Sequence, residues 1–170
     1  MRLENILVQK KSAILDRCFR LVMDTYPSDT SKFLKQEKDQ FINPVGHAIS
    51  EGIEALYSEL IKEMNSDKVY TSLDNIIRIR SVQDFSPSQA IAFIYLLKRA
   101  IREELEFEIR QQEILEELLT FESKIDEIVL FAFDIYMRCR EKIYELRINE
   151  VKAEREKALR LLEIIRSSEQ

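Results

Sequence analysis

Apolar residues in the first part of the chain recur at helical spacing and stop at a proline. Between residues 2 and 25 they lie three, four or seven positions apart, which predicts an amphipathic helix. Its apolar positions are Leu3, Ile6, Leu7, Ile14, Cys18, Leu21 and Val22. Pro27 interrupts the pattern because proline disfavours helical backbone in the residue before it. Ser28 is then placed to cap a short helix over about residues 29–40.

Two further helices are predicted in the middle of the chain. In FINPVG, Asn43 followed by Pro44 is typical of an N-cap and a first helical residue. One face of the helix that follows is apolar, with Val45, Ala48, Ile49, Gly52, Ile53, Leu56, Leu60 and Met64. Gly46 and Gly52 inside this helix predict the close approach of a neighbouring helix. After a polar break at residues 65–67, another helix carries Val69, Leu73, Ile76, Ile77 and Arg80 on one face.

The stretch VQDFSPSQA, residues 82–90, combines several polar residues with an aromatic one. Ser86 and Gln89 fit a capping box with Pro87 at the first helical position. Phe85 is placed as a hydrophobic staple against Ala90 or Ile91.

Capping does not account for Gln83 and Asp84 in the same stretch. They are candidates for a side-chain bond to another helix or for the rim of a pocket.

The second half of the chain favours long helices because neither proline nor glycine occurs after Pro87. A bend or an end is expected somewhere between Phe107 and Thr120. From about Phe121 onward the pattern predicts one very long helix. Its first half is apolar almost all round, which suits a helix enclosed by neighbours or by a second subunit.

The end of this helix changes to a narrow apolar stripe, here called the seam. Its steps alternate between four and three if Arg155 is counted as one of its positions, and its apolar positions are Tyr144, Ile148, Val151, Ala158, Leu162 and Ile165. A polar helix with one such stripe is poorly stable alone, so a homodimer is expected. The predicted division is therefore a helical bundle body over about residues 1–143 and a coiled-coil-like tail over about 144–170.

Composition narrows the class of protein. The net charge of −5 argues against a nucleic-acid partner, because binding phosphates requires a basic surface. The N-terminus lacks the apolar run of a signal peptide, and no window approaches the ~18 apolar residues of a membrane span. Two cysteines without metal-like spacing fit a reducing compartment, so a cytoplasmic protein without membrane insertion is expected.

Few residues offer chemistry. His47, the only histidine, is a candidate metal or haem ligand, although a polar residue near a helix start is the favoured interpretation. Eight glutamates between Glu103 and Glu122 are interpreted as a solvated face, because a dinuclear carboxylate site requires Glu-x-x-His pairs. Cys139 is expected to be a buried helical thiol. No phosphate loop or nucleophile motif occurs, so neither catalysis nor a cofactor is predicted.

Three stretches together resemble a known family. They are YPSDTSKFLKQEKDQFINPVGHAI (26–49), LDNIIRIRSVQDFSPSQAIAFIYLLKRAIREEL (73–105) and FDIYMRCREKIYELRINEVK (133–152). They resemble the N-terminal sensory domain of RsbRD-type proteins, the co-antagonist proteins of the bacterial stressosome pathway. The most specific parts are FINPVG and the VQDFSPSQA stretch followed by an apolar helix that ends in Lys-Arg.

The resemblance implies a small dimeric signalling domain with a globin-like helical fold. In that family the domain is fused to a phosphorylatable STAS domain or a histidine kinase, or stands alone in sulfate- and sulfite-reducing bacteria. No STAS or kinase domain follows Gln170, so the output is expected to pass through a partner, or the sequence is part of a longer protein. Two alternatives stay open: a haem- or metal-binding sensor that uses His47, and a structural adaptor for a membrane redox complex.

A ligand site, if the domain has one, is expected where FINPVGH and SVQDF meet the body. Helix starts present free amide groups that bind anions, and both stretches precede helices. The candidate ligand-binding residues are Asn43, His47, Gln83 and Asp84.

Overall fold

The computed structural model describes residues 2–62, 64–83, 85–111 and 114–168, and throughout these ranges the fold is all-α, without a strand. Its helices within them are α1 (Arg2–Gln9), α2 (Lys11–Met23), α3 (Ser28–Gln36), α4 (Pro44–Ile61), α5 (Ser66–Val82), α6 (Pro87–Ile91), α7 (Phe93–Glu104), α8 (Glu106–Arg110) and α9 (Leu115–Ser168). The predicted all-α class and the long C-terminal helix are confirmed. The globin-like topology stays a prediction.

Among the described residues, side-chain caps fix the starts of α4, α5 and α6. The predicted cap by Ser28 was wrong, because Ser28 is the first residue of α3 and the N-cap residue, Pro27, has no side-chain cap. The Asn43 side chain accepts a hydrogen bond from the Gly46 amide at the start of α4, and Asn65 caps α5 in the same way. At α6 the Ser86 hydroxyl accepts from the Gln89 amide while the Gln89 side chain accepts from the Ser86 amide. Both the Asn43 cap and the capping box at Ser86 are therefore confirmed.

Some helices begin or end at places that the sequence pattern did not mark. The first predicted helix is two helices, since α1 ends at Gln9 and α2 begins at Lys11. The helix expected after Ser86 is also divided, into α6 and α7 around Ala92. The interruption expected between Phe107 and Thr120 is present, because α8 ends at Arg110 and α9 begins at Leu115.

The core is formed by the packing of α4 against α5 and of α2 against both α4 and α7. Gly52 allows the first of these contacts, since a Cβ atom added there would lie 2.6 Å from Cγ1 of Ile76. Its predicted role in close helix packing is confirmed. Tyr57 ties α4 to α1 by donating its hydroxyl hydrogen to the carbonyl of Leu7 at 2.8 Å.

The chain divides into two units, Met1–Tyr136 and Met137–Gln170. In the first unit α9 buries one face, with Leu118, Phe121, Ile125, Ile128, Val129, Ala132 and Ile135. The rest of the almost entirely apolar half is not enclosed by this chain, because Leu130, Phe131 and Phe133 are exposed. In the second unit every seam residue from Tyr144 to Ile165 is exposed. The body and tail boundary at residues 143 and 144 stays a prediction.

The length and apolar character of the helices bear on membrane insertion. Among the helices of the described ranges, none is both long enough and apolar enough to cross a membrane.

Candidate functional site

A cleft of about 890 Å³ opens between α2, α3 and α4. Its apolar wall is formed by Val8, Leu15, Phe19, Leu34 and Ile53, and its polar wall includes Lys11, Asp16, Arg20, Lys35, Glu37, Lys38, Ser50 and Glu54. Two of the predicted ligand-binding residues, Asn43 and His47, line it. A volume in this range and a mixture of apolar and polar walls are typical of small-molecule sites.

The Asn43 side chain forms part of the cleft wall and bonds to backbone groups of α3, α4 and the residues between them. Its amide nitrogen donates to the carbonyls of Leu34 at 3.0 Å and Glu37 at 2.8 Å, and its amide oxygen accepts from the Gly46 amide at 2.8 Å. A Cβ atom at Gly46 would collide with the Asn43 side chain, so this glycine makes room for the cap and not, as predicted, for a neighbouring helix. Both amide donors are occupied, and Asn43 therefore joins the end of α3 to the start of α4.

His47 is the predicted residue with a half-exposed ring on the cleft. Its Nε2 atom lies 3.2 Å from Oε1 of Glu51, one turn further along α4. Among the described residues, no group of three His, Cys, Asp or Glu side chains is arranged to hold a metal ion.

Several charged groups of the cleft are held in ion pairs. Nζ of Lys11 lies 2.7 Å from Oε1 of Glu54, and Lys35 pairs with Asp24. Within the part of the chain that the structure describes, Arg20 and Lys38 have no carboxylate partner. The cleft therefore offers two cations and one imidazole at its rim.

Gln83 does not line this cleft. It lies at the end of α5, where its Oε1 accepts a hydrogen bond from the Tyr26 hydroxyl at 3.0 Å. Gln83 was predicted to bond to another helix or to form the rim of a pocket, but its partner lies in the connection between α2 and α3 rather than on a helix. Asp84 lies outside the described residues.

Beside Gln83 the structure contains a feature that sequence reasoning missed, a fully buried arginine. Arg80 packs with its guanidinium 4.1 Å above the ring of Phe85 and 5.3 Å from that of Tyr26, and these two rings meet edge to face. Its donors reach the carbonyls of Gln89 and Ala90 and the hydroxyl of Thr25, each at 3.1 Å. We call this group of side chains the Arg80 cluster.

Burial dominates the electrostatics of the Arg80 cluster. It lowers the pKa of the Arg80 guanidinium from its ordinary value and raises the pKa of the Tyr26 hydroxyl. Phe85 supplies the aromatic face that covers this cation, and its expected staple contact with Ala90 or Ile91 stays a prediction. The available sequence signal was a charged residue at an apolar position, since Arg80 follows Ile76 and Ile77 on the buried face of α5.

The acidic run is solvated only in part: Glu106 and Glu116 are exposed, but several of its other glutamates form ion pairs within the fold. Arg17 on α2 bonds with Glu103 and Glu104, and Lys10 lies 2.7 Å from Oε1 of Glu108. Farther along, the buried Glu122 accepts both ends of the Arg102 guanidinium. These carboxylates join α7, α8 and α9 to each other or to the N-terminal helices.

The two cysteines have different surroundings. Cys18 is buried in α2, and burial raises the pKa of its thiol to about 12. Cys139 is only half-buried in α9, so the prediction of a buried thiol there was wrong.

Taken together, the described residues form an all-α domain that contains a ligand-sized cleft and a buried cationic cluster. A family model described as the RsbT co-antagonist protein RsbRD N-terminal domain matches residues 12–151. The chain belongs to this family of stressosome-related regulatory domains, and the predicted family is confirmed.

Part of this chain is similar to a protein of known sequence. An uncharacterized protein of Archaeoglobus fulgidus is 33% identical to this chain over 93 residues, which are 54% of this chain and 58% of that protein. The chain thus matches little more than half the length of that relative. No solved structure matches it.

Proposed function

We propose that this chain is a non-catalytic sensory or regulatory domain that acts as a homodimer and passes its signal to another signalling protein. The observation that supports dimerisation most directly is the exposed seam on the second unit. Ile148, Val151 and Leu162 are 53%, 64% and 62% exposed, respectively, and they are spaced as the contact positions of a coiled coil. Burying such a stripe against a second copy removes apolar surface from water.

The tail contains a matched pair of residues for testing this interface. Ile148 lies on the seam, whereas Leu146 is two residues earlier, about 200° away around the helix, and both are 53% exposed. We expect Ile148→Glu to convert the dimer to a monomer, because it places a carboxylate in the contact. Leu146→Glu should leave the dimer intact. Light scattering after size exclusion gives the mass of each variant, and equal behaviour of the two variants would reject the seam.

The tail is also the proposed route of output. A long helix can transmit a small rotation or shift from a sensor to the next protein. The partner is proposed to be a STAS protein, a kinase or a similar signalling protein, and the cytoplasm is the proposed location. Removal of residues 150–170 should abolish dimerisation and the capture of that partner from native cells. If both survive, the tail does not carry the output.

A second candidate function is a sensor that holds haem or a metal through His47. The half-exposed imidazole on a cleft of about 890 Å³ is the observation that favours it. Protein expressed with added haem should then show a Soret absorbance band that His47→Ala removes. A spectrum without that band would eliminate the haem form of this candidate. The structural-adaptor alternative predicts instead that components of a redox complex are captured with the chain from native cells.

A further inference from the structure

The guanidinium of Arg80 has more donors than the fold uses. An arginine side chain carries five N–H groups. Nε donates to the Ala90 carbonyl, and Nη2 donates to the Gln89 carbonyl and the Thr25 hydroxyl. Nη1 is shielded from solvent and has no acceptor among the described residues. Both N–H groups of this one nitrogen are therefore unused.

Within the described residues the positive charge is uncompensated as well. The side chain is 0% exposed, and its neighbours are two aromatic rings, two carbonyls and the hydroxyls of Thr25 and Tyr26. No carboxylate of the described residues pairs with it. A buried charge without a counter-ion is strongly unfavourable, and buried unsatisfied donors are rare in native proteins. The two α6 carbonyls and the Thr25 hydroxyl account for three of the five N–H groups, but they account for neither Nη1 nor the charge.

The cover over this cation is thin. Thr25 and Gln89 are exposed, while Tyr26 and Phe85 are half-buried. Phe85, whose ring lies 4.1 Å from the guanidinium, belongs to the short connection between α5 and α6 rather than to a helix. A local displacement of this aromatic side chain would expose the guanidinium without disturbing the packing of α4 against α5.

We propose that Arg80 is the anchor of a binding site for a small oxyanion. One oxygen of the anion accepts a hydrogen bond from Nη1. The ligand class is a carboxylate or a phosphate, because either supplies both the missing acceptor and the missing negative charge. A buried water would supply only the acceptor and would leave the charge uncompensated. The proposal does not depend on dimerisation or on the partner, so it can fail or hold independently of the proposed function.

Thermal unfolding tests the site in the intact chain. Sodium phosphate and sodium acetate are titrated at an ionic strength held constant with sodium chloride. We expect one of them to raise the Tm saturably, by roughly 3–6 °C at a tenfold excess over its Kd. Arg80→Met should abolish the rise. The matched control is Arg78→Met, because Arg78 lies on the same helix but is exposed and pairs with Asp74. An equal rise in all three proteins, or none in the wild type, would overturn the proposal.

A second measurement applies even if Arg80→Met does not fold. The side-chain ¹⁵N resonances of arginine in the wild type should include one buried guanidinium whose Nη signals shift on addition of the active anion. A guanidinium that stays unshifted at saturation would contradict the site.

The variant Asp84→Asn tests whether the charge of Arg80 is neutralised by a bound anion or by the carboxylate of Asp84. Retention of the wild-type response in this variant supports the site. A response that appears only after Asp84→Asn would overturn the proposal, because Arg80 would then be neutralised by a carboxylate of the chain.

Discussion

Arg80 in α5 and Arg102 in α7 are both helical arginines, yet their charges have opposite surroundings. Arg102 is half exposed and donates to both oxygens of the buried Glu122, which Lys98 also approaches to 3.6 Å. The bond with Glu122 raises the pKa of Arg102, whereas burial lowers that of Arg80. One region thus neutralises a buried charge with opposite charges. The other surrounds it with carbonyls and aromatic faces.

The difference indicates what each region is used for. A carboxylate held by two cations is electrostatically complete, and it fixes α7 against α9. Among the described residues the guanidinium of Arg80 has no counter-ion, although it joins the α2–α3 connection to α5 and α6. The proposed oxyanion site would supply the negative charge that this region lacks.

The largest expected effect is that of Arg80→Ala. It leaves the Gln89 and Ala90 carbonyls without their donor and opens a cavity beneath Phe85, so we expect a loss of about 3 kcal/mol in the free energy of unfolding. Denaturant unfolding followed by circular dichroism measures it. Arg78→Ala, an exposed change on the same helix, should stay within about 0.5 kcal/mol of the wild type. Similar losses in both variants would show that the Arg80 cluster contributes no special stability.

A smaller effect is expected at the neutralised site. Arg102→Met removes two charge-assisted bonds from Glu122 and leaves Lys98 as its cation, which should cost about 2 kcal/mol. The double variant Arg102→Met/Glu122→Leu should recover most of this loss, because the buried charge is removed together with its partner. Both values follow from the same unfolding measurement. No recovery in the double variant would mean that Glu122 stabilises the fold in some other way.

A smaller loss of stability is expected when the aromatic ring that covers Arg80 is removed. Phe85→Leu keeps an apolar side chain but removes the ring that lies over Arg80 and meets Tyr26 edge to face. We expect a loss of about 1 kcal/mol. Phe41→Leu is the matched control, because Phe41 is 86% exposed. If both substitutions have the same small effect, the ring over Arg80 does not stabilise the buried cation.

The contrast between these regions was only partly predictable from the sequence. Local signals gave the caps at Asn43 and Ser86 and the close packing at Gly52, since each depends on residues adjacent in the chain or on the size of one side chain. Arg80 and Glu122 both stand at apolar spacing on a buried face, and that spacing was the available clue. Their partners come from helices that sequence spacing does not relate, so the pairings required the tertiary structure.

The candidate site was predicted to the same partial extent. Asn43 and His47 do meet on one cleft, because both belong to the start of α4. The grouping of these residues with Gln83 rested on their similar positions near helix starts, and the structure places Gln83 against Tyr26 instead. Local sequence identifies a helix start, but it does not determine which starts lie next to each other.

The smallest expected effect is a difference between the two regions in how stability depends on pH in the acid range. The pKa of Glu103 is lowered, first by its hydrogen bond with Arg99, and that of Glu108 by its bond with Lys10. Their contribution to stability is therefore complete above the unfolded-state value of 4.5 and is lost as the pH falls through the lower folded-state values. The Arg80 cluster, with no carboxylate among its described members, contributes no such acid dependence.

The double variant Glu103→Gln/Glu108→Gln should accordingly be slightly less stable than the wild type at neutral pH. Its stability should fall less steeply below about pH 4.5, since fewer carboxylates must be protonated against a partner. The control Glu150→Gln/Glu163→Gln removes the same charge from exposed positions of the tail. Unfolding measured from neutral pH to about pH 3 compares them. A slope unchanged in the first variant, or reduced equally in both, would mean that the pairs with Lys10, Arg17 and Arg99 do not set the acid response.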